Sequence, residues 1–515
     1  MRTFLAAFLL AFGVSAALTP LLRRWAIKLG GLDRAGSSRK IHTRPIPRIG
    51  GIAIVVGFIL PLIGLSFWEN DVSTLFFAHP NRVLGLFLGG IAIALLGLYD
   101  DIRGADARVK FSVQVAVAIV MYALGYAVCV VANPFGQPVQ LGLLSPPLTV
   151  LWIVGIINAL NLIDGLDGLA AGVAVIVVML TFAVALTRLD VLMCLFMASL
   201  AGAVLGFLLY NWNPASIFMG DTGSMFLGFV LGVTTVATNQ KSSTAVAILV
   251  PIVALGLPIT DTLLAMLRRA ASGRPIFAAD REHIHHRLCD LGLGQRQTVL
   301  VLYGVCVLLA GVAFALTCVN SRGVALLLAT AGGLSFVGLR KLGYLQVSPA
   351  SFRQTLAMRE RNYELRCALR GVSERLEHAA QLENLFQALP PVVDVLRADA
   401  VTVWLAVAPG VSERRQMTAT PVVVDGTAQR PPLKLQMPID PWTGSGTGGS
   451  LEVTWRIHAG SIDRDHEIFL ERLTRHMESA LARIYRGPLT QIPALGMSAE
   501  KEREATGAER MRDAS

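Results

Sequence analysis

Between Asn158 and Gly168 the chain reads Asn-Ala-Leu-Asn-Leu-Ile-Asp-Gly-Leu-Asp-Gly. Two carboxylates, Asp164 and Asp167, and two amides, Asn158 and Asn161, therefore stand between apolar runs. Those runs look long enough to enter a bilayer, where ionisable groups are costly and commonly face a polar cavity. The glycines let the backbone turn tightly and approach a ligand closely. The competing reading is a polar turn between two helices.

Further stretches carry groups of the same kind. Asp100 and Asp101 are adjacent in Gly97-Leu-Tyr-Asp-Asp-Ile-Arg-Gly104, and Lys110 follows. Neighbouring carboxylates repel unless a cation or a shared proton lies between them. That suits a general base or a Mg²⁺ site. A solvated helix C-terminus is the alternative, but acids there oppose the helix dipole. Asp221 stands between glycines in Phe218-Met-Gly-Asp-Thr-Gly223, directly before an apolar run. The free N–H groups opening that helix can receive an anion, or Asp221 and Thr222 can cap it. Asp280-Arg-Glu-His-Ile-His-His-Arg287 gathers histidines and arginines that can bind a pyrophosphate or a transition metal. Hard phosphate chemistry favours Mg²⁺ on oxygen, with His and Arg as donors to the phosphates. Asp261, inside an apolar run, is read as a structural hydrogen-bonding group. The basic loop Arg39–Gly51 can touch anionic lipid or phosphate, or simply set topology.

The elements that must position these groups are apolar helices. The 515 residues are 54% hydrophobic and 16% charged, with mean hydropathy +0.58. Soluble domains are roughly a quarter charged, so the composition implies a polytopic membrane protein carrying a soluble appendage. Spans of roughly 20 apolar residues are expected at 3–22, 49–67, 82–99, 110–131, 147–160, 169–187, 191–210, 224–239, 244–267, 298–318 and 323–342, about eleven helices, with 147–160 the weakest. Residues 1–349 hold 24 Lys and Arg against 14 Asp and Glu, whereas residues 350–515 hold 21 of each. The +10 net charge thus belongs to the apolar part and points to orientation in a bilayer rather than to nucleic acid. The basic loops at 23–48, 103–110, 268–296 and 340–341 mark one side as cytoplasmic, with the N-terminus outside. Most acids before residue 350 gather on that side. The six cysteines are scattered without ligand spacing and suggest neither a disulfide framework nor a zinc site.

The domain plan is a transmembrane domain over 1–345, a linker helix over 346–390, a cytoplasmic α+β domain over 391–486 and a disordered tail over 487–515. Leu365, Leu369, Val372, Leu376 and Ala379 form a 4-3-4-3 seam that fits a short coiled coil or a surface helix. Strands are expected at 400–407, 421–424, 433–437 and 451–457, before an amphipathic helix at about 464–485. By its order of elements this domain resembles the GAF-type sensor fold.

Arg39-Lys-Ile-His42, Asp100-Asp101, Asn158–Gly168, Phe218-Met-Gly-Asp-Thr-Gly223 and His283-Ile-His-His286 occur in that order on one membrane face. In this the chain resembles the polyprenyl-phosphate N-acetylhexosamine-1-phosphate transferases, over about residues 1–342. The resemblance implies transfer of N-acetylhexosamine 1-phosphate, with GlcNAc 1-phosphate expected, from a UDP-sugar to undecaprenyl phosphate with release of UMP. It further implies Mg²⁺, with Mn²⁺ as a substitute, in a bacterial inner membrane, and it leaves a homodimer open. It matches Asn161 and Asp221 to metal-holding positions, and Asp100, Asp101 and Lys110 to the group that activates the lipid phosphate. Phe218 matches a uracil-stacking aromatic and Asp167 a uracil contact. Arg281, His283, His285 and His286 match the phosphate-handling loop, while Asp164 and Asn211 are placed among the substrate contacts. The His-Ile-His-His form sets the chain nearer the N-acetylhexosamine branch than the phospho-MurNAc-pentapeptide branch. A secondary transporter, the rival class, would place its polar groups at the midplane of repeated, broken helices, and no repeat is visible here.

Overall fold

The computed structural model describes residues 2–28, 32–33, 46–67, 71–131, 139–240, 249–273, 283–319, 321–344, 349–408, 411–418, 433–439, 449–455 and 464–486. It divides into two compact units, Met1–Ala270 with Pro275–Ser348, and Ala271–Arg274 with Pro349–Ser515.

The first unit is helical. Its elements are α1 (Arg2–Lys28), α2 (Gly51–Ser66), α3 (Asp71–Ala78), α4 (Pro80–Arg103), α5 (Ala107–Ala123), α6 (Ser145–Ile163), α7 (Leu169–Thr187), α8 (Val191–Asn211) and α9 (Gly220–Gln240). There follow α10 (Leu249–Ala254), α11 (Gly256–Ala271), α12 (Ile284–Asp290), α13 (Gln295–Ala315) and α14 (Ser321–Lys341). Two-residue antiparallel ladders, Leu32–Asp33 with Ile46–Pro47 and Val130–Val131 with Val139–Gln140, tie loops together. α8 is apolar on all sides and accordingly buried, packed against α1, α2 and α7. α9 lies against α2, α4 and α6, while α13 packs on α7 and α10. Among the described residues seven helices are long and apolar enough to cross a membrane, and α6, the weakest expectation, is one of them. The stretch expected as a single span over 244–267 is divided at Leu255 between α10 and α11, and residues 244–248 lie outside the described residues. The chain is a mostly helical, multi-pass membrane protein.

The second unit holds α15 (Pro349–Glu377), α16 (Leu382–Gln387), α17 (Pro390–Val395), β1 (Ala400–Ala408), β2 (Val411–Thr418), β3 (Leu433–Pro438), β4 (Gly449–Trp455) and α18 (Arg464–Arg486). The sheet is antiparallel throughout, in the order β2-β1-β4-β3. Strand alternation turns Val401, Val403, Leu405, Leu451 and Val453 to one face, where they share a core with Phe469, Leu473 and Met477 of α18. The seam positions Leu365, Val372, Leu376 and Ala379 are buried in that same core. β2 was not expected from sequence. Its Val-Ser-Glu-Arg-Arg-Gln-Met-Thr run is polar, as suits an edge strand paired on one side only. The expected strand at 421–424 and the tail beyond 486 lie outside the described residues.

Gly97 lies where α4 meets the first turn of α9. A Cβ there would sit 2.5 Å from the Asp221 carbonyl oxygen and 2.5 Å from the Thr222 nitrogen. Both are backbone atoms that cannot swing aside. Gly97→Ala should therefore push the two helices apart and destabilise the bundle by about 1–3 kcal/mol. The check is the Tm of detergent-solubilised protein; Gly332→Ala, where a Cβ meets nothing within 4 Å, should leave it unchanged.

Candidate active site

The last turn of α4 and the first turns of α5 and α9 converge. Lys110 Nζ donates to Asp100 Oδ2 and to Asp221 Oδ2, at 2.9 Å each. These three side chains are 16–24% exposed, so a ligand can reach them. The Ala105 N–H holds the other Asp100 oxygen at 2.6 Å. Asp101 faces the other way. It accepts from the backbone N–H groups of Asp221 and Thr222 at 2.9 Å each, and from the Thr222 hydroxyl at 2.7 Å. An acid from α4 thus caps α9 in trans, satisfying donors that a helix N-terminus leaves open. The two adjacent acids have separate tasks: Asp101 fastens α9, and Asp100 shares a lysine with Asp221.

Gly220 takes φ +67° immediately before Asp221, a conformation that only glycine adopts without cost. Beside it, Phe218 N donates to the Pro47 carbonyl at 2.8 Å, and Gly50 N to the Phe218 carbonyl at 2.9 Å. These bonds bring the described end of the basic loop, with Arg48, alongside Phe218.

The Asn158–Gly168 stretch ends α6 and turns into α7. Asn161 Nδ2 donates to Ser224 Oγ at 2.9 Å, which docks the turn on α9 one turn beyond Gly220. Asn158 donates to Gln114 Oε1 of α5 at 2.7 Å and to its own helix at the Val154 carbonyl. Asp167, buried, accepts from Asn213 Nδ2 at 3.0 Å and from the Ala215 N–H at 2.9 Å. Asn211, also buried, accepts from the Gly168 N–H and donates to the Ile217 carbonyl. Tyr303 of α13 donates to the Gly168 carbonyl at 2.6 Å. Asp167 and Asn211 therefore knit this turn to the loop leading to Phe218. Asp164 stands apart. No hydrogen-bond donor reaches its carboxylate among the described residues, and burial, followed by the charge of Asp221, pushes it up to about 7.

The histidine cluster closes a further side. Asp261 of α11 accepts from the Ile284 N–H at 2.8 Å, capping α12, and its other oxygen pairs with His283 Nδ1 at 2.9 Å. The His285 ring lies parallel to that of His283, with centroids 5.6 Å apart, and 4.3 Å from that of His286. It also lies against Gly165, where a Cβ would collide with its Nε2. His285 is 1% exposed, and neither ring nitrogen has a partner among the described residues. Burial, reinforced by His286, pushes its pKa down to about 3, so it is a neutral imidazole. Arg281 lies outside the described residues, as do Arg39, Lys40 and His42.

Supports that sequence reasoning missed fall into two kinds. Gln114 announces itself as a polar side chain in an apolar run, and Thr222 and Ser224 sit within a motif already singled out. Tyr303 carries no such signal, since its role depends on α13 lying against α7.

Residues 83–239, which hold both α4 acids, the Asn158–Gly168 turn and Asp221, match the family described as Glycosyl transferase family 4. The chain is 38% identical over 304 residues to the probable undecaprenyl-phosphate N-acetylglucosaminyl 1-phosphate transferase of Bacillus subtilis, covering 59% of this chain and 82% of that one. It is 37% identical over 320 residues to the decaprenyl-phosphate N-acetylglucosaminephosphotransferase of Mycolicibacterium smegmatis, covering 56% and 78%. To the phospho-N-acetylmuramoyl-pentapeptide-transferase of a Thermoanaerobacter species it is 31% identical over 319 residues, covering 59% and 94%.

Because Asp101 satisfies two backbone donors and a hydroxyl at once, Asp101→Ala should cost about 1–2 kcal/mol of stability as a lost cap. Thr222→Val, which leaves both backbone bonds in place, should cost less. Thermal unfolding of the two variants in one detergent checks the order.

Proposed function

This chain belongs to glycosyl transferase family 4, among the polyprenyl-phosphate N-acetylhexosamine-1-phosphate transferases, and on that premise we propose that it transfers N-acetylhexosamine 1-phosphate from a UDP-sugar to undecaprenyl phosphate. GlcNAc is the proposed sugar, following the names of the Bacillus and Mycolicibacterium relatives. The observation that carries the reading is Lys110 bridging Asp100 and Asp221, with Asp164 beside them given no hydrogen-bond donor among the described residues.

The reaction joins two anions. An oxygen of the lipid phosphate attacks the β-phosphorus of the UDP-sugar, the bond from that phosphorus to the bridging oxygen breaks, and UMP leaves with that oxygen. Asp100, reachable from outside and held by Lys110 and the Ala105 N–H, is oriented to take the proton of the lipid phosphate. Lys110 supplies a positive charge between the acceptor and donor phosphates, lowering their repulsion. His285, neutral and without a partner among the described residues, can donate to or accept from a phosphate oxygen, while His283 is held by Asp261.

The residues fit a magnesium ion. Asp221, Asp164 and the Asn161 amide present hard oxygen donors around the first turn of α9. At Asp164, burial and the charge of Asp221 outweigh the opposing pull of Arg48 and push the carboxyl up to about 7, so an added cation would be favoured there. Asn161 and Asp221 would hold the ion, with Asp164 next to them. When bound, it would offset the charge of the pyrophosphate and of departing UMP. Phe218, partly exposed beside Asp221, is the proposed platform for uracil.

The site sits at the ends of helices on the face that carries the basic loops, proposed as the cytoplasmic face of the inner membrane. The lipid phosphate then reaches the acids while its prenyl chain stays in the bilayer. The experiment is UMP release by full-length protein given UDP-GlcNAc, undecaprenyl phosphate and Mg²⁺. Turnover should require all three, and Asp221→Asn should reduce it on the order of 10²–10³-fold without loss of folded protein. Release without the lipid, or full turnover by Asp221→Asn, would refute the reading.

A further inference from the structure

α13 meets the end of the Asn158–Gly168 turn through Tyr303. Its hydroxyl donates to the Gly168 carbonyl at 2.6 Å, and the same carbonyl accepts the Gly172 N–H at 2.9 Å as α7 begins. The approach depends on a missing side chain: a Cβ on Gly172 would collide with the hydroxyl and the Cζ of Tyr303. The Tyr303 ring also lies beside that of Trp212, the residue that closes α8, with centroids 6.0 Å apart and planes 45° apart. Both rings are partly buried against the core of the bundle. Tyr303 thus touches two elements at once, the start of α7 and the end of α8.

Both contacts lead to the same loop. Residues 212–217 form no helix or strand, so their backbone groups must find partners outside a regular ladder. The first residue of the loop is Trp212, held against Tyr303. Near its far end, the Ile217 carbonyl accepts from Asn211 Nδ2 at 3.0 Å, and Asn211 Oδ1 accepts in turn from the Gly168 N–H at 3.2 Å. Asp167, next to Gly168, takes the Asn213 amide and the Ala215 N–H from the middle of the loop. The residue after Ile217 is Phe218. A chain of direct contacts therefore runs from the Tyr303 hydroxyl through Gly168 and Asn211 to the residue beside Phe218.

We propose that Tyr303 is a positioning residue for the nucleotide: set between Gly168 and Trp212, it holds the 212–217 loop where Phe218 can stack on uracil. It acts through that loop rather than by touching substrate. Its loss weakens nucleotide binding equally in the ground state and the transition state, so KM rises while kcat stays. The inference rests on the reading of Phe218 as the uracil platform.

The test uses full-length Tyr303→Phe, which removes one oxygen and keeps the ring, and Gly172→Ala, which pushes the phenol away from Gly168. Each should raise the Kd for UMP and the KM for UDP-GlcNAc about three- to tenfold, the worth of one hydrogen bond. In both, kcat and the KM for undecaprenyl phosphate should stay within about twofold of wild type. Tyr303→Leu, which also removes the ring beside Trp212, should lose more UMP affinity than Tyr303→Phe. Gly311→Ala, on α13 where a Cβ meets nothing within 4 Å, is the control and should match wild type throughout. Unchanged UMP affinity in Tyr303→Phe would overturn the proposal, as would a fall in kcat as large as the loss of affinity. Should Gly172→Ala fail to fold, Tyr303→Phe, which adds no atom, decides alone. Phe218→Ala is measured alongside; wild-type UMP affinity in that variant would refute the platform itself, and the inference with it.

Discussion

The active end of this bundle depends on Asp101 capping α9 from the end of α4. A helix N-terminus presents several unpaired N–H groups, and next to a membrane few alternatives exist to satisfy them. Asp101 takes two of these donors and the Thr222 hydroxyl. That fixes Asp221 in place, and with it the distance between the two carboxylates that Lys110 bridges. The close meeting of α4 and α9 is possible because residue 97 has no side chain. The Asn158–Gly168 turn then docks on the same helix start through Asn161 and Ser224.

From this junction the site follows as a problem in charge. Four acids, Asp100, Asp101, Asp164 and Asp221, gather within a few helix ends. Each meets its charge differently: Asp101 with backbone dipoles, Asp100 and Asp221 with a shared lysine, and Asp164 with no hydrogen bond at all among the described residues. An arrangement that leaves carboxylates short of positive charge is suited to receive a dication. Family membership and this imbalance point to the same chemistry, phosphoryl transfer between two anionic substrates.

Much of this was legible in the sequence because it is carried by residues that are expensive where they stand. Acids, amides and histidines between apolar runs marked the stretches on α4, α6, α9 and α12 that meet here, while Gln114 and Tyr303, which hold the Asn158–Gly168 turn, went unmarked. Sequence pattern could not assign tasks within those stretches. Asp100 and Asp101 are neighbours with opposite duties, set by which face of α4 meets α9. Asp167 and Asn211 turn out to link loops through hydrogen bonds, a role that exists only once the turn and the 212–217 loop are side by side. Asp261, read as a structural group within the bundle, caps α12 and orients His283. The polar edge strand Val411–Thr418 was missed because its pattern is that of a solvated segment, and only pairing with Ala400–Ala408 makes it a strand.

The central claim is that the acids around the start of α9, rather than the histidines, are where a divalent cation meets the substrate phosphates. The most direct measurement is an electron paramagnetic resonance titration of Mn²⁺ into the full-length protein with UDP present, for wild type, Asp221→Asn and His286→Gln. The account predicts a bound Mn²⁺ signal that is lost in Asp221→Asn and kept in His286→Gln. A signal that survives in Asp221→Asn and disappears in His286→Gln would contradict it.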